Sequence, residues 1–230
     1  MTAWKDAGAE VGWLRINPAG FLTFVREKKG RPGDLPGFRF LSWQAGRLAN
    51  LPAPASAFGL YLHGAEVTDA GLEELAGMTG LQSLDLGFTE VTDAGLTELA
   101  GLMNLQSLDL NGTQVTDAGV KELAGMTSLQ SLSLVGTQVT NVGLKALAGL
   151  TNLQSLNLYG PQITDAGLTK LAGLTNLRLL GLFGLPIRDA RLKQLAGQTN
   201  LQSLNLIATK ATTAAIKDLQ QALPKCRILR

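Results

Sequence analysis

Cysteine is almost absent from this 230-residue chain: Cys226 stands alone, so no internal disulfide framework can form. Histidine is equally scarce, and the single His63 excludes a multi-histidine metal centre built within the chain. Aromatic residues make up only 5% and charged residues 17%, with 20 basic and 18 acidic groups leaving a formal charge of +2. That near-balance, with scattered basic residues, argues against nucleic acid as a partner. No run approaches the roughly 18 consecutive apolar residues of a membrane-spanning helix. Met1 to Glu10 carry no apolar leader core, so neither a membrane span nor secretion is expected. A reducing, cytoplasmic setting is therefore expected. The motifs H-E-x-x-H, C-x-x-C and G-x-S-x-G and a phosphate loop are all missing, and no catalytic residue, metal or cofactor is assigned.

Leucine is what the chain has in excess, 45 residues of it. So much leucine with so few aromatics points to an internal repeat. From Ala57 onward the sequence repeats every 24 residues, with L-x-x-L-x-L opening at Leu81, Leu105, Leu129, Leu153, Leu177 and Leu201. Seven units align in phase, the first matching from Leu60 on. The alternating leucines, such as Leu108 and Leu110, have the period of a short strand with one buried side. The following T-x-V-T-D-A-G-L-x-x-L-A-G places Thr or Asp where a helix begins, an apolar stripe behind it and Gly where it stops. Asp69, Asp93, Asp117, Asp165 and Asp189 suit those helix starts, with Asn141 in the fourth unit. Gly77, Gly101, Gly125, Gly149, Gly173 and Gly197 suit the stops, where a left-handed backbone is common. A strand and a short helix cannot bury their apolar sides alone, so the units must stack into a curved solenoid with a parallel sheet.

These in-phase copies resemble the leucine-rich repeat family across residues 57–230. The V-T-D-A-G-L and L-A-G-L-T-N segments are similar to the short repeats of bacterial arrays. The resemblance implies an α/β horseshoe with the parallel sheet on its concave face and short helices on its convex face. It implies a bacterial source and a non-enzymatic protein–protein interaction module that binds its partner on the concave face. The family usually has Asn where this chain has Thr89, Thr113, Thr137 and Thr209, and Pro161 and Leu185 occupy the same slot.

Residues 1–56 fall outside the period yet hold all three tryptophans and four of the seven phenylalanines. They read as a cap over the first unit, with strands at Gly12–Asn17, Gly20–Arg26 and Phe38–Trp43. At the other end, Thr212–Leu223 reads as a last helix and Pro224–Arg230 as a polar closing segment. Cys226 reads as a small core residue.

If the fourth and sixth residues of each unit point inward, the third, fifth and seventh form columns on the open side of the sheet. The seventh column turns apolar at Val135, Tyr159, Phe183 and Ile207, and Arg178 and Leu179 enlarge that patch. Exposed contiguous apolar groups mark a partner surface, and these six are the candidate partner-binding residues. Tyr61, His63, Asp85, Asp109 and Asn111 form a secondary polar and acidic patch. Asp85 and Asp109 should lie one strand spacing apart, ~5 Å, which raises the pKa of one of them, but an open sheet offers no enclosing pocket for catalysis.

Two alternatives remain. The polar columns could hold a glycan or cell-wall fragment, or the chain could be a self-associating scaffold. Charge supports the second, because residues 57–122 carry one basic and 11 acidic groups while residues 123–230 carry 11 basic and three acidic. Weak charge-driven self-association is thus an expectation beside binding to another protein.

Overall fold

In the computed structural model, which describes residues 2–230, every L-x-x-L-x-L segment forms a short strand. The repeat strands are β4 (Phe58–Tyr61), β5 (Leu81–Asp85), β6 (Ser107–Asp109), β7 (Ser131–Val135), β8 (Ser155–Tyr159), β9 (Leu179–Gly181) and β10 (Ser203–Asn205). They pair in parallel and in register, Ser83 with Ser107, Ser107 with Ser131 and Ser131 with Ser155. The fourth and sixth leucines point into the core, and Leu84, Leu86, Leu132 and Leu134 are fully buried. This is the horseshoe expected: an open, mostly parallel sheet backed by short helices.

The closing segment at 224–230 contributes a further strand, β11 (Arg227–Leu229), parallel to β10. Cys226 just before it is buried, and burial pushes its thiol pKa up.

The helices run from Asp69–Glu73 to Thr213–Ala222 on the other side of the core. Thr92, Thr116 and Thr212 are the helix caps, each accepting from a backbone N–H of the first turn. The Asp that follows has a different task. Asp69 accepts from the backbone N–H and the hydroxyl of Thr92 at 2.8 and 2.7 Å, and Asp93 and Asp117 bind Thr116 and Thr140 in the same way. Each carboxylate thus staples its unit to the next. Asn141 keeps the joint with an amide, accepting from the Thr164 N–H at 2.9 Å and donating to its hydroxyl at 3.0 Å, and the helix of unit four, beginning at Gly143, is a 3-10 helix throughout. Of the stop glycines only Gly77 is left-handed, at φ +85; the others end their helices without leaving the right-handed region. Thr89, Thr113, Thr137 and Thr209 each donate a hydroxyl to the carbonyl three residues back, a loop bond of the kind the usual Asn supplies.

The first residues continue the same sheet and core. They form β1 (Glu10–Ile16), β2 (Leu22–Val25) and β3 (Leu35–Arg39), and β3 pairs in parallel with β4. The third strand therefore begins three residues ahead of the sequence reading. Phe40 and Trp43 then turn into the core beyond its end, where Trp43 meets Phe40 edge-on. Trp4 stacks on Phe38 at 4.3 Å and meets Phe58 edge-on, which closes the exposed leucines of the first unit.

The β1–β2 hairpin does more than close that end. Leu14, Ile16, Leu22 and Phe24 lie on one side of it, since Leu14 pairs with Phe24 and Ile16 with Leu22. That apolar side folds across the concave face. Leu14 packs on Gly59 of β4, and Gly20 in the hairpin turn sits against Ser155, Asn157 and Leu179 of β8 and β9. Six extended residues reach ~20 Å and four strand spacings ~19 Å, so the hairpin is long enough to cross from β4 to β8. Arg15 on its outer side is held by Glu27 at 3.0 Å and Asp34 at 2.6 Å.

Candidate functional site

The hairpin overturns one expectation about the surface. Over units two to five the third and fifth columns are not open: Ser83, Asp85, Ser107, Asp109, Ser131, Ser133, Ser155 and Asn157 are all buried. The physical reason is the apolar side of the hairpin, which covers its leucines by lying on that floor. Some of the polar side chains there bond to one another, while the hydroxyls of Ser83 and Ser155 are buried without a partner. Asp109 accepts from the backbone N–H of Asn111 at 2.9 Å and from its amide at 3.0 Å, and Asn111 in turn accepts from the Ser133 hydroxyl at 2.6 Å.

The acidic pair behaves as its spacing predicts. Burial, with the charge of Asp85 next to it, pushes the Asp109 pKa up to about 7. Asp85 accepts from Gly87 N–H at 2.8 Å and meets His63 Nδ1 at 3.3 Å, while its Oδ2 is buried without a partner. The bond to Asp85 raises the His63 pKa. Burial, with Asp85 nearby, raises that of Tyr61, whose ring stacks on His63 at 5.7 Å.

The seventh column lies beyond the hairpin, along the rim where the strands end. Tyr159, Phe183 and Ile207 are 39, 45 and 39% exposed, and Val135 is partly buried. Tyr159 and Phe183 stack at 5.6 Å with 27° between their planes. Leu179 and Arg178 are separated from this stripe. Leu179 is half-buried under Gly20, and Arg178 projects at the opposite ends of the strands.

A leucine-rich repeat model matches residues 78–100, 101–124, 125–148 and 149–172. The crystal structure of an internalin C2 from Listeria monocytogenes is 32% identical, with a TM-score of 0.58, over 74% of this chain and 69% of that one. The chain belongs to the leucine-rich repeat family. A second Listeria monocytogenes internalin shares the fold at 22% identity and a TM-score of 0.61, over 81% of this chain and 56% of its own. A Leptospira interrogans leucine-rich repeat protein does so at 23% identity and 0.54, over 77% and 42%. No curated protein matches the sequence. Leucine-rich repeat proteins generally mediate protein–protein interactions and are typically non-catalytic. No helix among the described residues is long and apolar enough to cross a membrane.

Two rim residues of this leucine-rich repeat chain escape a reading of the columns. Phe88 is 65% exposed and has φ 56, at the eighth position, where Gly64, Gly112, Gly136 and Gly184 take φ 65–71. A bulky side chain in the left-handed region is held there against a local preference of roughly 1–2 kcal/mol. Its ring lies 5.2 Å from His63 and over Gly112. The signal was a single Phe in a glycine column. Leu41, 66% exposed, follows β3 as a seventh residue follows its strand, and was hidden because β3 carries no repeat motif.

The opposite edge of the repeats is a polar groove of about 740 Å³ lined by Asn152, Gln154, Asn176, Arg178 and their equivalents in neighbouring units. Asn104, Asn152, Asn176 and Asn200 each donate to a Thr carbonyl of the preceding unit, which fixes the amides in a row.

Proposed function

We propose that the chain binds a partner protein along the rim at the C-terminal ends of its repeat strands, with Tyr159, Phe183 and Ile207 as anchors and Val135 at their edge. The observation that carries this reading is the stacked, half-exposed pair Tyr159–Phe183. An aromatic pair left in water beside buried leucines loses apolar burial that a partner would supply, and such side chains dominate binding energy at interfaces. The covered floor moves the expected contact from the centre of the concave face to its margin. His63 and Phe88 extend the rim toward the N-terminal units.

Capture of interacting proteins by the native chain and by Tyr159→Ser/Phe183→Ser tests this reading, with circular dichroism to establish that both are folded. A loss of tenfold or more in the captured partner is expected. An unchanged set of captured proteins removes the stripe as the anchor.

A second reading is favoured by the amide-lined groove. Amides both donate and accept, as hydroxyls do, and Asn, Gln and Ser side chains line the groove with Arg178 as its charged group. A neutral glycan along this edge is the alternative ligand, and Gln130→Ala/Gln154→Ala should weaken glycan retention without affecting protein capture.

A further inference from the structure

The loops that follow β4 to β10 stand side by side, and their tenth residues run Glu66, Glu90, Gln114, Gln138, Gln162, Pro186 and Lys210. Charge along this rim passes from acidic at one end to basic at the other, and Arg188 reinforces the basic end. Glu66, Glu90, Arg188 and Lys210 are exposed, and among the described residues none of them forms an ion pair. The neighbouring Asp column adds its own formal charge, since bonds to neutral Thr do not cancel it. Asp69, Asp93 and Asp117 deepen the acidic end, and Asp165 and Asp189 offset part of the basic end without reversing the gradient. Two aromatic groups flank the middle at equal distance, while Tyr159 of unit five and Ile207 of unit seven have Asn111 and His63 as their counterparts. Val135 belongs to unit four, Phe88 to unit two and Phe183 to unit six.

A rim of this kind complements itself when turned end for end. A two-fold axis through unit four sets unit one of one copy against unit seven of the other, and unit two against unit six. Glu66 then faces Lys210, Glu90 faces Arg188 and Phe88 faces Phe183, while Val135 and Gln138 face their own counterparts. Each ion pair and each aromatic contact occurs twice. A shift by one unit sets unit one against unit six and unit two against unit five, so Glu66 meets the loop of Arg188, Glu90 meets Gln162 and one of the two ion pairs is lost.

We propose that the partner seated on this rim is a second copy of the chain, forming an antiparallel, rim-to-rim homodimer with its axis at Val135. The proposal rests on the rim reading above and gives that rim its occupant. The hairpin on the concave floor does not obstruct it, because the contact lies at the ends of the strands.

Sedimentation of the full chain from about 1 μM to 0.1 mM tests the dimer. A concentration-dependent dimer is expected, with a dissociation constant that rises at least tenfold between low and high salt. Glu66→Lys/Glu90→Lys and Arg188→Glu/Lys210→Glu should each be monomeric, since each sets like charges against each other. An equimolar mixture of the two should regain the dimer, because opposite charges again meet across the interface, and misfolding cannot produce that recovery. Gln138→Cys, on the axis, should cross-link on mild oxidation. Gln114→Cys, two units or ~10 Å from its counterpart, should not, and the native Cys226 is buried.

A chain that stays monomeric throughout the range, or variants that fail to pair when mixed, overturns the homodimer. If Tyr159→Ser/Phe183→Ser then still lowers capture of another protein, the rim reading survives with a different occupant. If that variant also changes nothing, both readings fail.

Discussion

The Asn157 side-chain amide donates to the carbonyl of Gly20 at 3.1 Å, joining the hairpin turn to unit five across 137 positions of sequence. This contact marks how far the N-terminal segment reaches over the floor of the horseshoe. Gly20 has φ +87, and a Cβ there would lie 2.7 Å from Leu179 and 2.8 Å from the Ser155 hydroxyl. Gly20→Ala is therefore expected to destabilise the seated hairpin by about 1–3 kcal/mol. Amide hydrogen exchange should accelerate in β1 and β2 while β10 and β11 keep their native rates. Unchanged exchange in the hairpin would show that the turn is not held as described.

The buried acidic pair gives the fold a pH dependence whose sign can be worked out. Asp109 has its folded-state pKa raised to about 7, so the folded chain holds a proton that the unfolded chain releases from about pH 4 upward. Its contribution to stability is intact below pH 4, declines as pH rises to about 7 and is flat above. His63, raised by Asp85, acts in the same direction, whereas Glu10 and Glu27, held low by Arg26 and Arg15, act oppositely as pH falls into the carboxylate range. Asp109→Asn should flatten the profile of urea unfolding between pH 4 and 7 and gain up to about 4 kcal/mol relative to the native chain at pH 8. A parallel pair of profiles would contradict the assignment.

Much of this architecture was legible because a repeat shows the same physics seven times. The inward leucines, parallel register, cap threonines and acidic pair all follow from spacing within one unit. What was hidden depends on contacts between distant segments. Leu14 and Leu22 alternate as any hairpin does, and nothing local states that their apolar side lies on Ser83 and Ser107. The staple role of Asp93 was also obscured, because an Asp at a helix start already has a sufficient local reason to be there. Phe88 was readable, but only by treating the eighth column as a backbone requirement for a positive φ.

The glycine of V-T-D-A-G-L shows how strictly the staple controls packing. A Cβ on Gly119 would fall 2.4 Å from Asp93 Oδ1 and 3.0 Å from Leu96 Cδ1, both in the preceding unit. Gly119→Ala should force these units apart and lower stability by about 2–3 kcal/mol. Gly125→Ala, where nothing lies within 4 Å of an added Cβ, should stay within about 0.5 kcal/mol of the native chain in the same thermal unfolding experiment. Equal effects at the two sites would remove the inter-unit explanation.

Phe88 sets stability against association. Its neighbours in the eighth column are glycines with nearly the same φ, so Phe88→Gly removes the left-handed strain without asking the loop to move. Because the ring is mostly exposed, little burial is lost, and thermal unfolding should show a chain as stable as the native one or up to about 1 kcal/mol more stable. The same substitution removes the aromatic group placed against Phe183 and should weaken self-association by tenfold or more in sedimentation. A destabilised variant that associates normally would mean the ring serves the loop itself. A stable variant that no longer pairs would mean the strained backbone is kept for the contact its side chain makes.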